Sequence, residues 1–250
     1  MNSYEIIKND LIKLGVKKGD VIMLHSSLSS MKYVDGGANT LIQALLDVLT
    51  PSGTLLLPSF TYIEVTKTLI FDINNSKVCV GVIPETFRNY KGVIRSMHPT
   101  HSVCAIGKYA NELLKDHYLD NTPMGINSPF RKLVNYNGKL LMLGCGLYCN
   151  SFIHAIEEIC DVSYCLDDFV TYTLIDKDNN VIKKDYRPHN FQDVIQRYDR
   201  TLDVLDLNDY KEGFIHNAKS YLIDCKALSK KAINKIKEDE FYFVDKKGEI

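Results

Sequence analysis

Twice near its start the chain repeats one pattern: an amphipathic helix, a glycine turn, then a strand that is apolar throughout. Ile6, Ile7, Leu11 and Leu14 recur at helical spacing, Gly15 follows as a stop, and Val21-Ile22-Met23-Leu24 is uniformly apolar. Leu41, Leu45, Leu46, Val48 and Leu49 then repeat the helical spacing, Pro51-Ser52-Gly53 turns the chain, and Thr54-Leu55-Leu56-Leu57-Pro58 is the next strand. A strand without a polar face must be covered on both sides. The pattern therefore predicts an α/β protein whose parallel sheet carries helices on both faces. Ligands of such sheets bind at the carboxyl ends of the strands. His25-Ser26-Ser27 and Pro58-Ser59-Phe60-Thr61 occupy that position here.

The remaining chain is consistent with one domain spanning 1–250, with a smaller helical and hairpin portion towards its end. Residues 62–82 read as irregular, 84–90 and 108–117 as short helices, and 118–129 as a polar loop. Lys139-Leu140-Leu141-Met142-Leu143 is a strand after the Asn137-Gly138 turn. A helix is predicted over 154–160, with Asn150 or Ser151 as its N-cap. A hairpin is predicted over 169–182, and helices around 190–199 and 217–236.

Composition excludes several classes. Hydrophobic residues are 45% and the formal net charge is −1, which argues against disorder. Lys plus Arg number 30 against 31 Asp plus Glu, so there is no basic excess for nucleic acid. No apolar run reaches the about 18 residues of a membrane span. Charges from Glu5 onward remove the apolar core of a signal peptide. Seven cysteines, most in apolar surroundings, read as reduced cytosolic thiols. The expected location is the cytoplasm.

The residue pattern with most chemical content is His154 followed by Glu157 and Glu158. Positions three and four apart share a helix face. A carboxylate there would accept from Nδ1–H, fix the tautomer and leave Nε2 free as a base. A solvated surface histidine has the same spacing; position after the buried strand and Gly144-Cys145-Gly146 is what favours function. Cys145 and Cys149 stand near enough in sequence to offer a nucleophile. His98, His101 and the cysteines lack the spacing of a zinc site, so no metal is expected. Glu157, Glu158, Asp161, Asp167 and Asp168 form an acidic run with no Lys or Arg over 155–175. Facing a pocket, it would favour a polycationic ligand.

A series of motifs runs in order along the chain: Leu14-Gly15-Val16-Lys17-Lys18-Gly19-Asp20, His25-Ser26-Ser27-Leu28, Gly36-Gly37-Ala38 and Pro51-Ser52-Gly53-Thr54-Leu55. It continues through Gly81-Val82-Ile83-Pro84-Glu85-Thr86-Phe87-Arg88 and Arg95-Ser96-Met97-His98-Pro99-Thr100-His101-Ser102. Pro123-Met124-Gly125, Asn127-Ser128-Pro129, Leu143-Gly144-Cys145-Gly146 and Asn150-Ser151-Phe152-Ile153-His154-Ala155-Ile156-Glu157 complete it. Taken in this order the motifs resemble the aminoglycoside 3-N-acetyltransferase family, the acetyl-CoA-dependent type without the GNAT fold. The resemblance covers roughly 10–160 well and the last third only loosely.

The resemblance implies an α/β/α sandwich-like fold with a mostly parallel central sheet, and acetyl transfer from acetyl-CoA to an amine. It implies His154 as general base, Glu157 as the group orienting it, and Ser151, where the family has Thr, as a hydroxyl near the thioester. Ser26, Ser27, Thr100, His101 and Ser102 fall on the expected coenzyme A side. Glu158, Asp161 and Asp168 are the residues expected to meet a polycationic acceptor such as an aminoglycoside. Antibiotic resistance is the activity that acceptor would confer. A biosynthetic N-acetyltransferase acting on another amine, such as a nucleotide amino sugar, keeps the same residues. A silent coenzyme A-binding protein would not need both His154 and Glu157.

Overall fold

In the computed structural model, which describes residues 2–248, the two repeated units form as expected. Helix α1 (Ser3–Leu14) starts at Asn2, whose side chain accepts the Glu5 N–H, and stops at Gly15 with φ 108°. Strand β1 (Val21–Ser26), helix α2 (Gly37–Leu49) and strand β2 (Thr54–Pro58) follow. Next come α3 (Tyr62–Thr68), β3 (Ile70–Asp72), α4 (Val82–Arg88), β4 (Ile94–Arg95), β5 (Val103–Gly107), α5 (Ala110–Leu114) and α6 (Pro129–Lys132). Strand β6 (Lys139–Leu143) leads to α7 (Phe152–Cys160). The last part contains β7 (Val170–Ile175), β8 (Val181–Tyr186), β9 (Val194–Gln196), β10 (Tyr210–Ile215), β11 (Ala218–Asp224), α8 (Cys225–Glu238) and β12 (Val244–Lys246).

The main sheet has seven strands in the order β10-β11-β6-β1-β2-β5-β4. Its centre is parallel: β1 pairs with β2 on one side and β6 on the other. Its flanks are not. Strand β5 joins β2, and β11 joins β6, in antiparallel register, so the sheet is mixed around a parallel core.

Alternation along the central strands divides the interior into two layers. Ile22, Leu24, Leu55, Leu57, Leu141 and Leu143 pack with the apolar faces of α1, α2 and α4. Val21, Met23, Leu56, Leu140 and Met142 face Leu113, Phe130, Phe152, Ile156 and Leu228 on the other side. Every one of these is buried. Removing a single such leucine side chain typically costs about 2–5 kcal/mol. The result is the three-layer α/β/α arrangement that two-sided apolar strands require.

Three local expectations are corrected. Residues 62–82 hold α3 and β3, because β3 pairs in parallel with β7 and so gains a partner far away in sequence. Residues 190–199 are not a helix: β9 pairs with β12, and a 3₁₀ helix runs from Tyr198 to Val204. Residues 217–236 divide into β11 and α8, with the Asp224 side chain capping the helix by accepting the Ala227 N–H at 2.8 Å. The β7–β8 hairpin and β3 form a separate three-stranded sheet over Val65, Phe71, Tyr172, Leu174 and Tyr186.

Candidate active site

Strands β1 and β2 end beside the β6–α7 connection, and a cavity of about 660 Å³ opens there. The turn that builds it needs glycine. Gly144 has φ 68°, and a Cβ on it would lie 2.7 Å from the Ser30 side chain and 2.9 Å from Ala218. The close approach of Ser30 and Ala218 accounts for the glycine at position 144.

Helix α7 begins under a local cap, and Asn150 rather than Ser151 supplies it. Asn150 Oδ1 accepts the Phe152 N–H at 3.2 Å, while its amide donates to Thr201 Oγ1 at 3.2 Å. Thr201 in turn donates to the Tyr198 carbonyl at 2.6 Å. One buried asparagine thus ties the helix start to the 3₁₀ turn that carries Tyr198. Ser151 keeps its hydroxyl for the cavity, which it lines.

His154 also lines the cavity, and Glu157 lies behind it, fully buried. Nδ1 of His154 is 3.1 Å from Glu157 Oε2. The Tyr198 hydroxyl donates to the same carboxylate oxygen at 2.9 Å and lies 2.8 Å from Nδ1. Tyr164 donates to Oε1 at 3.1 Å. With the phenol proton spent on Glu157, both neighbours of Nδ1 are acceptors. The hydrogen is therefore assigned to Nδ1, and Nε2 carries the free lone pair. Burial and the nearby Glu157 charge hold the Tyr198 and Tyr164 phenols protonated, with pKa values well above the usual range.

A second histidine stands beside the first. His189, from the loop after β8, has its ring centroid 4.8 Å from that of His154 and lines the same cavity. Its Nε2 is 2.8 Å from Glu158 Oε1. Glu158 is nearly buried and accepts the Thr122 hydroxyl at 2.6 Å and the Met124 N–H at 2.8 Å, with Arg131 at 3.9 Å. Neither His189 nor Tyr198 was singled out from the sequence. An isolated histidine in a loop and a tyrosine among fifteen carry no local signal.

The expected coenzyme residues separate. Ser26 and His101 line the cavity. Among the described residues, Ser26 Oγ and both ring nitrogens of His25 are buried without a hydrogen-bond partner, so this end of β1 offers polar atoms to a ligand. Thr100 is buried behind His101, its hydroxyl 2.8 Å from Nδ1 of that ring. Ser27 pairs with Ser29 and Ser30. Ser102 is structural: it donates to the Ser59 carbonyl at 2.7 Å and accepts from Arg95 at 3.0 Å.

The acidic run does not face the cavity. Glu157 and Glu158 are consumed by the two histidines, and among the described residues no Asp or Glu lines the cavity. Asp161 is the exposed C-cap of α7 with φ 52°, and Asp168 is exposed in the following loop. Helical spacing turned two acids inward, and the rest lie past the helix end.

The His98-Pro99-Thr100-His101 segment has a packing role. His98 Nδ1 accepts the backbone N–H groups of Thr100 and His101 at 3.3 and 3.0 Å. Its ring stacks on His117 at 4.8 Å. Among the described residues no group of three or more His, Cys, Asp or Glu is arranged to hold a metal ion. Three cysteines, Cys79, Cys145 and Cys149, line the cavity.

Fold and site together define an α/β/α protein with a carboxylate-oriented imidazole on the wall of a cleft at the strand ends. The aminoglycoside 3-N-acetyltransferase family profile matches residues 23–237, and the chain belongs to that family, whose members are acyltransferases. It is 34% identical over 184 residues to aminoglycoside N(3)-acetyltransferase IX of Micromonospora chalcea, an alignment spanning 66% of this chain and 64% of that relative. A crystal structure of aminoglycoside acetyltransferase AAC(3)-IVa, a mutant in complex with a gentamicin, superposes with a TM-score of 0.83 at 28% identity, covering 97% of this chain and 90% of that one. AAC-IIIb in its binary complex with CoASH superposes at 0.82 with 26% identity, covering 95% and 97%.

Proposed function

We propose that the protein transfers acetyl from acetyl-CoA to an amine of an aminoglycoside or related aminosugar. The observation that carries this reading is His154, held by Glu157 through Nδ1 with Nε2 free on the cavity wall. The relatives bound to gentamicin and to CoASH support the same pair of substrates.

An amine attacks a thioester only through its neutral lone pair. In this mechanism Nε2 of His154 takes a proton from the acceptor ammonium. The nitrogen then bonds to the thioester carbonyl carbon. The C–S bond breaks and coenzyme A leaves with its sulfur protonated, balancing the second amine proton. Glu157 stabilises the imidazolium while it carries charge. Ser151 is the hydroxyl suited to polarise the carbonyl. Ser26 and His101 are the wall positions left to coenzyme A from the expected set, and the cysteines all being unpaired fits a cytoplasmic enzyme.

A second reading keeps the chemistry and changes the acceptor. With no carboxylate of the described residues lining the cavity, an amine bearing fewer charges than an aminoglycoside fits the wall as well. Purified protein incubated with acetyl-CoA and separate panels of aminoglycosides and nucleotide amino sugars, followed by free-thiol release, separates the two. Release with aminoglycosides supports the first, release only with other amines supports the second, and no release with either refutes acetyl transfer to this class.

A further inference from the structure

Consecutive acids on α7 each hold one imidazole. Glu157 holds His154 through Nδ1, and Glu158 holds His189 through Nε2. Oε1 of Glu158 already accepts the Met124 N–H, so it acts as an acceptor, and Nε2 of His189 carries the hydrogen. The other ring nitrogen, Nδ1, is then a lone pair. Among the described residues it is buried and has no hydrogen-bond partner. Such an orphan at a cavity wall needs an explanation.

We propose that Nδ1 of His189 accepts a hydrogen bond from the acceptor amine while Nε2 of His154 takes its proton, so the paired rings form the amine-recognition element. This rests on the acetyl-transfer reading and extends it to a primary amine as the group recognised. The ring centroids are 4.8 Å apart, the planes are inclined at 41°, and both residues line the cavity. Among the described residues no carboxylate lines the cavity to do this work, but Glu157 and Glu158 each lie one ring behind it and supply the negative field. Burial and the neighbouring His154 keep His189 neutral, so its lone pair persists. The division of labour follows: one imidazole changes protonation state and the other stays an acceptor, orienting the amine for attack.

Two substitutions separate recognition from packing. In His189→Asn the side-chain oxygen can occupy the place of Nδ1; His189→Phe keeps the ring volume and removes the acceptor. Steady-state kinetics with gentamicin and with glucosamine are run on both and on the unaltered protein, with coenzyme A affinity measured by calorimetry. H189F is expected to lose about 10- to 100-fold in kcat/KM for the amine, mainly through KM, the loss of one hydrogen bond to a charged group. H189N is expected to recover most of that loss, with coenzyme A affinity unchanged in both. Unchanged KM in H189F, or equal damage in H189N and H189F, overturns the inference while leaving acetyl transfer standing. If the unaltered protein acetylates neither amine, calorimetric titration of gentamicin into coenzyme A-loaded protein decides. Weaker binding in H189F supports the recognition role; equal binding or none overturns it.

Discussion

The Tyr198 hydroxyl lies 2.8 Å from Nδ1 of His154 and donates to the carboxylate that orients it, closing a three-membered network around one ring nitrogen. Tyr198 is a positioning residue in this arrangement. Removing its hydroxyl leaves Glu157 short of one donor and His154 short of one acceptor. Tyr198→Phe is expected to lower kcat about 10-fold, with the KM for acetyl-CoA unchanged. A ¹⁵N histidine spectrum of the unaltered protein is expected to show His154 with its hydrogen on Nδ1. A variant that loses thermal stability but keeps kcat would make Tyr198 a packing residue only.

His154→Ala removes the base itself. Turnover is expected to fall by about 10²- to 10⁴-fold while coenzyme A affinity stays within a small factor. Glu157→Gln is expected to cost less, because the carboxylate orients and stabilises rather than transferring the proton. Comparing kcat for the two variants with calorimetric coenzyme A binding checks both. Full activity in His154→Ala would refute its assignment.

Buried histidines set the acid limit of stability. Burial holds His25 and His117 down to about 3, and His98, His101 and His189 well below the ordinary value. In the unfolded chain these rings protonate near about 6.5. Above that pH both states are neutral and the rings contribute no difference. Below it the unfolded chain binds more protons, so stability falls with pH by up to about 1.4 kcal/mol per pH unit per ring. Glu85, held at about 2 by its hydrogen bonds from Arg88, adds loss in the same direction below about 4.5. Glu158 and Asp120, raised by burial, oppose the histidines at higher pH, from their raised values down to about 4.5 and 3.8. From pH 6.5 to 5 the five buried rings outnumber those two carboxyls, so the net change is a loss. Urea denaturation at pH 7.5, 6.0 and 5.0 is expected to show a steady loss across that interval; a flat profile would contradict it.

Cys149 is expected to be the most reactive thiol. A hydrogen bond from Cys145 brings it down to about 7, against the opposing effect of burial. Burial raises Cys79, Cys104, Cys160, Cys165 and Cys225. Because Cys149 lines the cavity, iodoacetamide at neutral pH should label it first, and acetyl-CoA should slow the labelling. Peptide mass mapping over a time course reads both effects. Faster labelling at another cysteine would refute the ranking.

What the linear chain determined is local. Uniformly apolar strands such as Val21–Leu24 and Leu55–Leu57 required covering on both faces, and α1, α2 and α7 carry their spacing in their own residues. His154 and Glu157 were readable for the same reason: the helical period alone brings positions three apart together. Tertiary structure decided everything that depends on where distant segments return. His189 and Tyr198 reach His154 because the β7–β8 hairpin and the Asn150–Thr201 tie carry them back to α7. Strand β9 exists because β12 pairs with it, a partner no local pattern announces. The acidic run had the right composition for a pocket wall. Its exposure was decided by the end of α7 at Asp161, where the backbone turns left-handed and later residues leave the helix face. Helical periods are set by bonds between near neighbours; convergence of loops on a cavity is set by packing across the whole sheet.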